Sequence, residues 1–276
     1  MTRSYKFKFA TLLLLFAFAG LSWGANALIV TEASSVVDTD NTNLNNKLVT
    51  AGFTVTVNAG VPGGSLATYQ QIWDTRFNNI VLSASDITAY TTYLAGGGNL
   101  FLMGENTGFN TRNNSIASFI AAVGGGTIAI TSPSNTVTVR APFATGITNP
   151  FTFQAAAGTK TPGPYGAIAV DAASIAPAIV YGPGSMTGAM AGSLIIVFDV
   201  NFMGSSADAN SQQLLGNLIA YLAAPVVVPP FNPPSSNTAT SVPTLSTWAF
   251  LVLAVGLVYI ASRRLGGKQQ GRTALP

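Results

Sequence analysis

The chain has no cysteine and no histidine among its 276 residues. The first absence excludes disulfides, a thiolate nucleophile and a cysteine-ligated zinc site. The second removes the side chain that most often acts as general base near neutral pH, and with it any Ser-His-Asp arrangement. Charge is scarce as well, since only 8% of the residues are Asp, Glu, Lys or Arg. Stability therefore has to come from a packed core, and a middle region of about 200 residues is long enough to build one.

The formal net charge of +3 misrepresents that middle region. Arg3, Lys6 and Lys8 sit at the start, and Arg263, Arg264, Lys268 and Arg272 at the end. Residues 28–241 hold five bases (Lys47, Arg76, Arg112, Arg140, Lys160) against nine acids (Glu32, Asp38, Asp40, Asp74, Asp86, Glu105, Asp171, Asp199, Asp208), a net charge of −4. Such a stretch has no basic groove for a phosphate backbone, so no nucleic-acid partner is expected.

The two ends read as targeting segments. In residues 1–27, three bases precede an apolar run from Phe9 to Leu21 and then Ala25-Asn26-Ala27. This is the layout of a secretory signal, and the small residues at −3 and −1 predict cleavage by signal peptidase after Ala27. An uncleaved anchor is the alternative. Residues 225–241, PVVVPPFNPPSSNTATS, predict a stalk: Pro229-Pro230 and Pro233-Pro234 favour polyproline II, and the polar run that follows is flexible. Residues 242–276 begin Val242-Pro243-Thr244-Leu245-Ser246-Thr247-Trp248 and continue through an apolar stretch to Arg263-Arg264. Residues 245–262 are near the lower length limit for a membrane span. The arginine pair would stay cytoplasmic, placing residues 28–241 outside.

This tail is similar to the IPTL-CTERM sorting domain of Gram-negative bacteria. Members typically begin Ile-Pro-Thr-Leu and reach a Trp-Gly pair; Val242 and Ala249 stand at the first and last of those positions. The trailer from Leu265 to Pro276 is longer than such tails usually carry. The resemblance implies an exosortase-type membrane enzyme that removes the tail. The protein would pass from an inner-membrane intermediate to the cell envelope, the outer surface or the medium.

Residues 28–224 predict a single ectodomain of alternating strands and helices. Strands are expected at 28–31, 53–57, 71–77, 100–103, 127–130 and 194–200, and helices at 43–51, 85–94, 115–123 and 209–222. Residues 131–190 show no helical pattern and predict a β-rich insertion or antiparallel extension. Apolar strands alternating with helices point to an α/β fold whose parallel sheet is covered on both faces. The pattern resembles the class I glutamine amidotransferase-like fold, a flavodoxin-like relative. The resemblance is carried by the strand and turn Asn99-Leu100-Phe101-Leu102-Met103-Gly104-Glu105-Asn106 and by the closing unit, residues 192–222. Catalytic families of that fold place a cysteine in this turn and a histidine later. Here the turn is Gly104-Glu105-Asn106 and histidine is absent, so amidotransferase chemistry is not implied.

In open parallel sheets ligands bind beyond the carboxyl ends of the strands. Four polar clusters are expected there. Asp38 and Asp40 offer alternating oxygens that would suit Ca2+. Asn43 and Val49, however, stand where a calcium loop has Gly and Glu, and a solvated loop capping the next helix is the plainer reading. Trp73, Asp74, Thr75 and Arg76 form a second cluster, with Trp73 either core or a platform for a sugar. Glu105 and Asn106 form a third with Arg112, where Glu105 either pairs with Arg112 or accepts backbone amides. Asp199 and Asn201 form the fourth. Two function classes follow: a non-catalytic exported module that binds a glycan, a cation or a surface partner (or fills a structural role in a matrix), and an exported hydrolase. The hydrolase would use carboxylates alone, Glu105 with Asp199 or Asp38, as glycoside hydrolysis permits.

Overall fold

The computed structural model describes residues 25–32, 39–161 and 163–224. The stalk, the sorting tail and most of the signal segment lie outside them, as do Asp38, the span expected at 245–262 and the motif residues Val242, Pro243, Thr244, Leu245, Trp248, Arg263 and Arg264. Among the described residues no helix is long and apolar enough to cross a membrane.

The described residues form twelve strands: β1 (Ala25–Thr31), β2 (Phe53–Ala59), β3 (Gln71–Asp74), β4 (Asn99–Met103), β5 (Ile130–Thr131), β6 (Thr136–Val139), β7 (Phe151–Thr152), β8 (Gly158–Lys160), β9 (Gly166–Val170), β10 (Ile175–Ala176), β11 (Ala178–Tyr181) and β12 (Ser193–Val197). The helices are α1 (Thr39–Thr50), α2 (Ala84–Ala95), α3 (Asn110–Ala122) and α4 (Ala209–Ala223). Nine strands make one sheet in the order β2-β1-β3-β4-β12-β11-β9-β6-β7, and β10-β8-β5 make a small second one.

The large sheet is mixed, which corrects the expected parallel, flavodoxin-like sheet of the amidotransferase-like class. Only β2-β1, β1-β3, β3-β4 and β4-β12 pair in parallel. The other six pairings, including both in the small sheet, are antiparallel. The reason lies in the connections. A parallel neighbour needs a crossover of a dozen or more residues, usually helical. Between Ile130 and Val197 the described residues form no α-helix to carry such a crossover, and their strands pair with one another antiparallel. The strand expected at 127–130 is correspondingly reduced to β5, and the one at 71–77 stops at Asp74.

Strand residues alternate between two cores, as the period of two requires. Ala27, Ile29, Phe101, Met103, Ile195 and Val197 face α1 and α4, meeting Leu44, Leu48, Leu214 and Leu218. Leu28, Val30, Leu100, Leu102, Leu194 and Ile196 face α2 and α3, meeting Tyr90, Leu94, Ile116 and Phe119. Helix starts follow local chemistry. Ser83 forms a capping box with Asp86 at the start of α2. Asp208 accepts from the amides of Asn210 and Ser211 to begin α4.

Candidate functional site

The in-register rows of the sheet bring the predicted clusters to one edge. Val30 stands beside Asp74, Asp74 beside Leu102, and Leu102 beside Ile196, so β1, β3, β4 and β12 end together. The segments leaving these ends carry Asp74, Arg76, Glu105 and Asp199. Asp40 lies in the first turn of α1, where an acid complements the helix N-terminus.

Two polar networks occupy this edge. The first centres on Asp74, which has no solvent exposure. Its carboxylate accepts from Arg76 Nε at 2.9 Å, Arg76 Nη2 at 2.6 Å and the Tyr90 hydroxyl at 3.0 Å. Arg76 Nη2 also meets Asp86 at 3.3 Å. Arg112 Nη2 stands 3.1 Å from Asp74 Oδ1, close enough for an ion pair but without hydrogen-bond alignment. The remaining donors of Arg112 reach the carbonyls of Met103 and Ile80. Two acids and two bases thus cancel inside the protein. Burial opposes the Asp74 charge, yet Arg112 and the Arg76 bonds outweigh it and hold the carboxyl below its ordinary range. Burial and the neighbouring Asp74 charge push the Tyr90 phenol well up.

The second network joins Glu105 to Asp199. One Glu105 oxygen accepts from the Asn106 amide at 2.8 Å and its side chain at 3.0 Å; the other accepts from the Val200 amide at 3.0 Å. One Asp199 oxygen accepts from the amides of Gln154 and Ala155 at 2.8 and 3.4 Å, the other from the Asn201 amide and side chain at 2.9 and 3.0 Å. Asn113, fully buried on α3, clamps the turn from beneath: its side chain accepts from the Glu105 amide and donates to the Glu105 and Asn106 carbonyls. Gly104 is required here because a Cβ would lie 2.4 Å from the Phe198 ring. Burial raises both carboxyl pKa values, against the backbone amides that lower them, and the Asp199 charge raises Glu105 further.

The predicted residues therefore divide. Glu105, Asn106, Asp199 and Asn201 share one network, and Asp74 shares the other with Arg112. Glu105 does not pair with Arg112: it is satisfied by amides, and Arg112 turns to Asp74. Trp73 has no exposed surface; its indole stacks on Phe101 with centroids 4.5 Å apart and donates to Gln71, so it belongs to the core. Among the described residues no group of three or more acids is placed to hold a metal. Sequence reasoning placed Arg76 in one cluster with Asp74, and it missed Asp86 and Asn113 as partners. The capping signal Ser83-x-x-Asp86 was available for Asp86.

The opposite, amino ends of β3 and β4 carry a different surface. A cleft of about 680 Å3 opens there, lined by Leu66, Tyr69, Thr92, Tyr93, Asn99 and Ala224 among others, with no charged residue among the described residues of its wall. Its volume is in the range of small-ligand sites. The Tyr93 hydroxyl donates to the Tyr69 and Asn99 carbonyls, fixing the ring.

No protein-family model and no curated protein matches the sequence. Among solved structures, the mmIFT52 N-terminal domain aligns with a TM-score of 0.55 at 12% identity, covering 73% of this chain and 99% of that one. This shows a shared fold and nothing of activity. A β-galactosidase from Rahnella sp. R3 and the exo-β-1,4-mannosidase Op5Man5 from Opitutaceae bacterium strain TAV5 each align with a TM-score of 0.46. Their identities are 14% and 13%; each alignment covers 72% of this chain, but only 31% and 35% of the enzymes. Those two likenesses carry no activity to this chain.

Proposed function

We propose that the protein is exported and sorted to the cell envelope or surface, and that its ectodomain is a non-catalytic binding or structural module. The observation that carries the ectodomain reading is the state of the acids at the strand ends. Asp74, Glu105 and Asp199 are buried, and every carboxylate oxygen on them accepts a hydrogen bond from the protein itself. An acid committed in this way holds loops together: Asp74 and Asp199 each use four acceptor sites on protein donors, and Glu105 uses three. The neutral, tyrosine-lined cleft at the amino ends supports a binding role, and its lack of charge matches an uncharged partner such as a glycan.

The delivery part of the reading rests on the two chain ends. Signal peptidase removes the leader, an exosortase-type enzyme recognises the tail from Val242 to Arg264, and the membrane holds residues 245–262 until processing. Mass spectrometry of the mature protein tests this directly. The expected chain lacks the tail beyond the Trp248 region; an intact Pro276 terminus in the secreted fraction contradicts it.

A carboxylate hydrolase is the second reading, favoured by one observation: Glu105 and Asp199 are neighbouring acids whose pKa values are both raised by burial. A panel of chromogenic glycosides separates the two readings, because only the hydrolase releases dye in a Glu105-dependent way.

A further inference from the structure

β1 pairs with β2 over all seven of its residues, from Ala25 beside Phe53 to Thr31 beside Ala59. The first three positions are well used. The Asn26 carbonyl accepts from the Gln70 amide at 2.8 Å, and its side chain donates to the Thr68 carbonyl at 3.2 Å. Ala27 is fully buried, pairs with Gln71 of β3, and belongs to the core under α1 and α4. Cutting after Ala27, where the A-x-A pattern points, would remove all of this. It would leave Phe53 to Val55 of β2 without a neighbour on that side and strip the Gln70 amide of its acceptor.

The cut would also create a charge in the wrong place. Leu28 has no solvent exposure and lies between Thr56 of β2 and Ile72 of β3. As a first residue it would carry its ammonium at the row of Thr56 and Ile72, among apolar strand residues, where a charge is less well solvated than in open water. Three residues upstream the difficulty disappears. Ala25 is only half-buried, at the free end of the strand, where an ammonium reaches water. Ser22-Trp23-Gly24 puts small residues at −3 and −1, which is what signal peptidase requires.

We propose that signal peptidase cleaves the Gly24–Ala25 peptide bond, so that the mature chain begins at Ala25 with β1 entire. Water is the co-reactant; the products are a carboxylate on Gly24 and an ammonium on Ala25. The inference rests on reading the segment before Ala25 as a secretory signal.

The test expresses the full chain in a Gram-negative host and sequences the amino terminus of the exported protein. The expected result is Ala-Asn-Ala-Leu-Ile. A terminus at Leu28 would overturn the site while keeping the signal, and an exported chain retaining Met1 would overturn both. A Gly24→Leu variant gives an independent reading without touching β1. It places a bulky side chain at −1, and processing is expected to be lost, with precursor accumulating. If processing is unchanged, the enzyme cuts elsewhere and the proposal fails.

Discussion

Arg112 Nη2 stands 3.1 Å from Asp74 Oδ1, and neither side chain has exposed surface. Asp74 ends β3 and Arg112 lies on α3, so the pair ties the sheet to a helix through charge instead of apolar contact. Removing one partner leaves the other charge buried. Arg112→Leu is expected to lower unfolding free energy by about 3–5 kcal/mol, read by urea denaturation. The double variant Arg112→Leu/Asp74→Asn should recover part of that loss. A single variant within about 0.5 kcal/mol of wild type would show that the pair contributes little.

The two networks respond to pH in opposite senses. Asp74 has a folded pKa below its ordinary 3.8, so the stability it supplies is fully present above that value and is lost as pH falls through the folded pKa. Glu105 and Asp199 have folded values above their ordinary 4.5 and 3.8. The folded state holds their protons more tightly, so their contribution declines as pH rises from the ordinary values through the raised ones. Urea midpoints measured between about pH 2 and pH 7 should therefore fall less steeply on the acid side in Asp74→Asn than in wild type. An identical acid limb in the two proteins would contradict the assignment.

Asp199→Asn tests how fully the second network is used. Both oxygens of Asp199 face amide donors, so one end of the asparagine side chain must present N–H to N–H. The expected loss is about 1–3 kcal/mol, with the far-UV circular dichroism of the folded protein unchanged. A variant as stable as wild type would mean that the oxygens are not needed.

Gly104→Ala probes the turn itself. The new Cβ would lie 2.4 Å from Phe198 Cδ1 and 3.0 Å from the Asn113 side-chain oxygen. Because Phe198 is fully buried, relief requires repacking, and a loss of about 1–3 kcal/mol is expected by thermal denaturation. An unchanged melting temperature would show that the ring moves freely.

Parts of this architecture were legible in the sequence. The apolar runs at Leu28, Leu100 and Leu194 become the central strands because burial on both faces removes polar alternation. The same property hid strand direction: Gly166–Val170 and Ala178–Tyr181 are equally apolar yet antiparallel, and only the lack of helices between them signals it. The site was half visible. That polar residues follow β3, β4 and β12 follows from local pattern. That Arg112 turns to Asp74 and away from Glu105, seven residues earlier in the chain, depends on how α3 lies across the sheet, and spacing alone does not encode that.

The most direct test of the ectodomain reading measures turnover and stability together in wild type and Glu105→Gln. Glu105 bridges Asn106 and Val200, so the variant should melt at a lower temperature, and neither protein should hydrolyse chromogenic glycosides in a Glu105-dependent manner. Turnover by wild type that falls about 100-fold or more in a variant of unchanged melting temperature would contradict that reading.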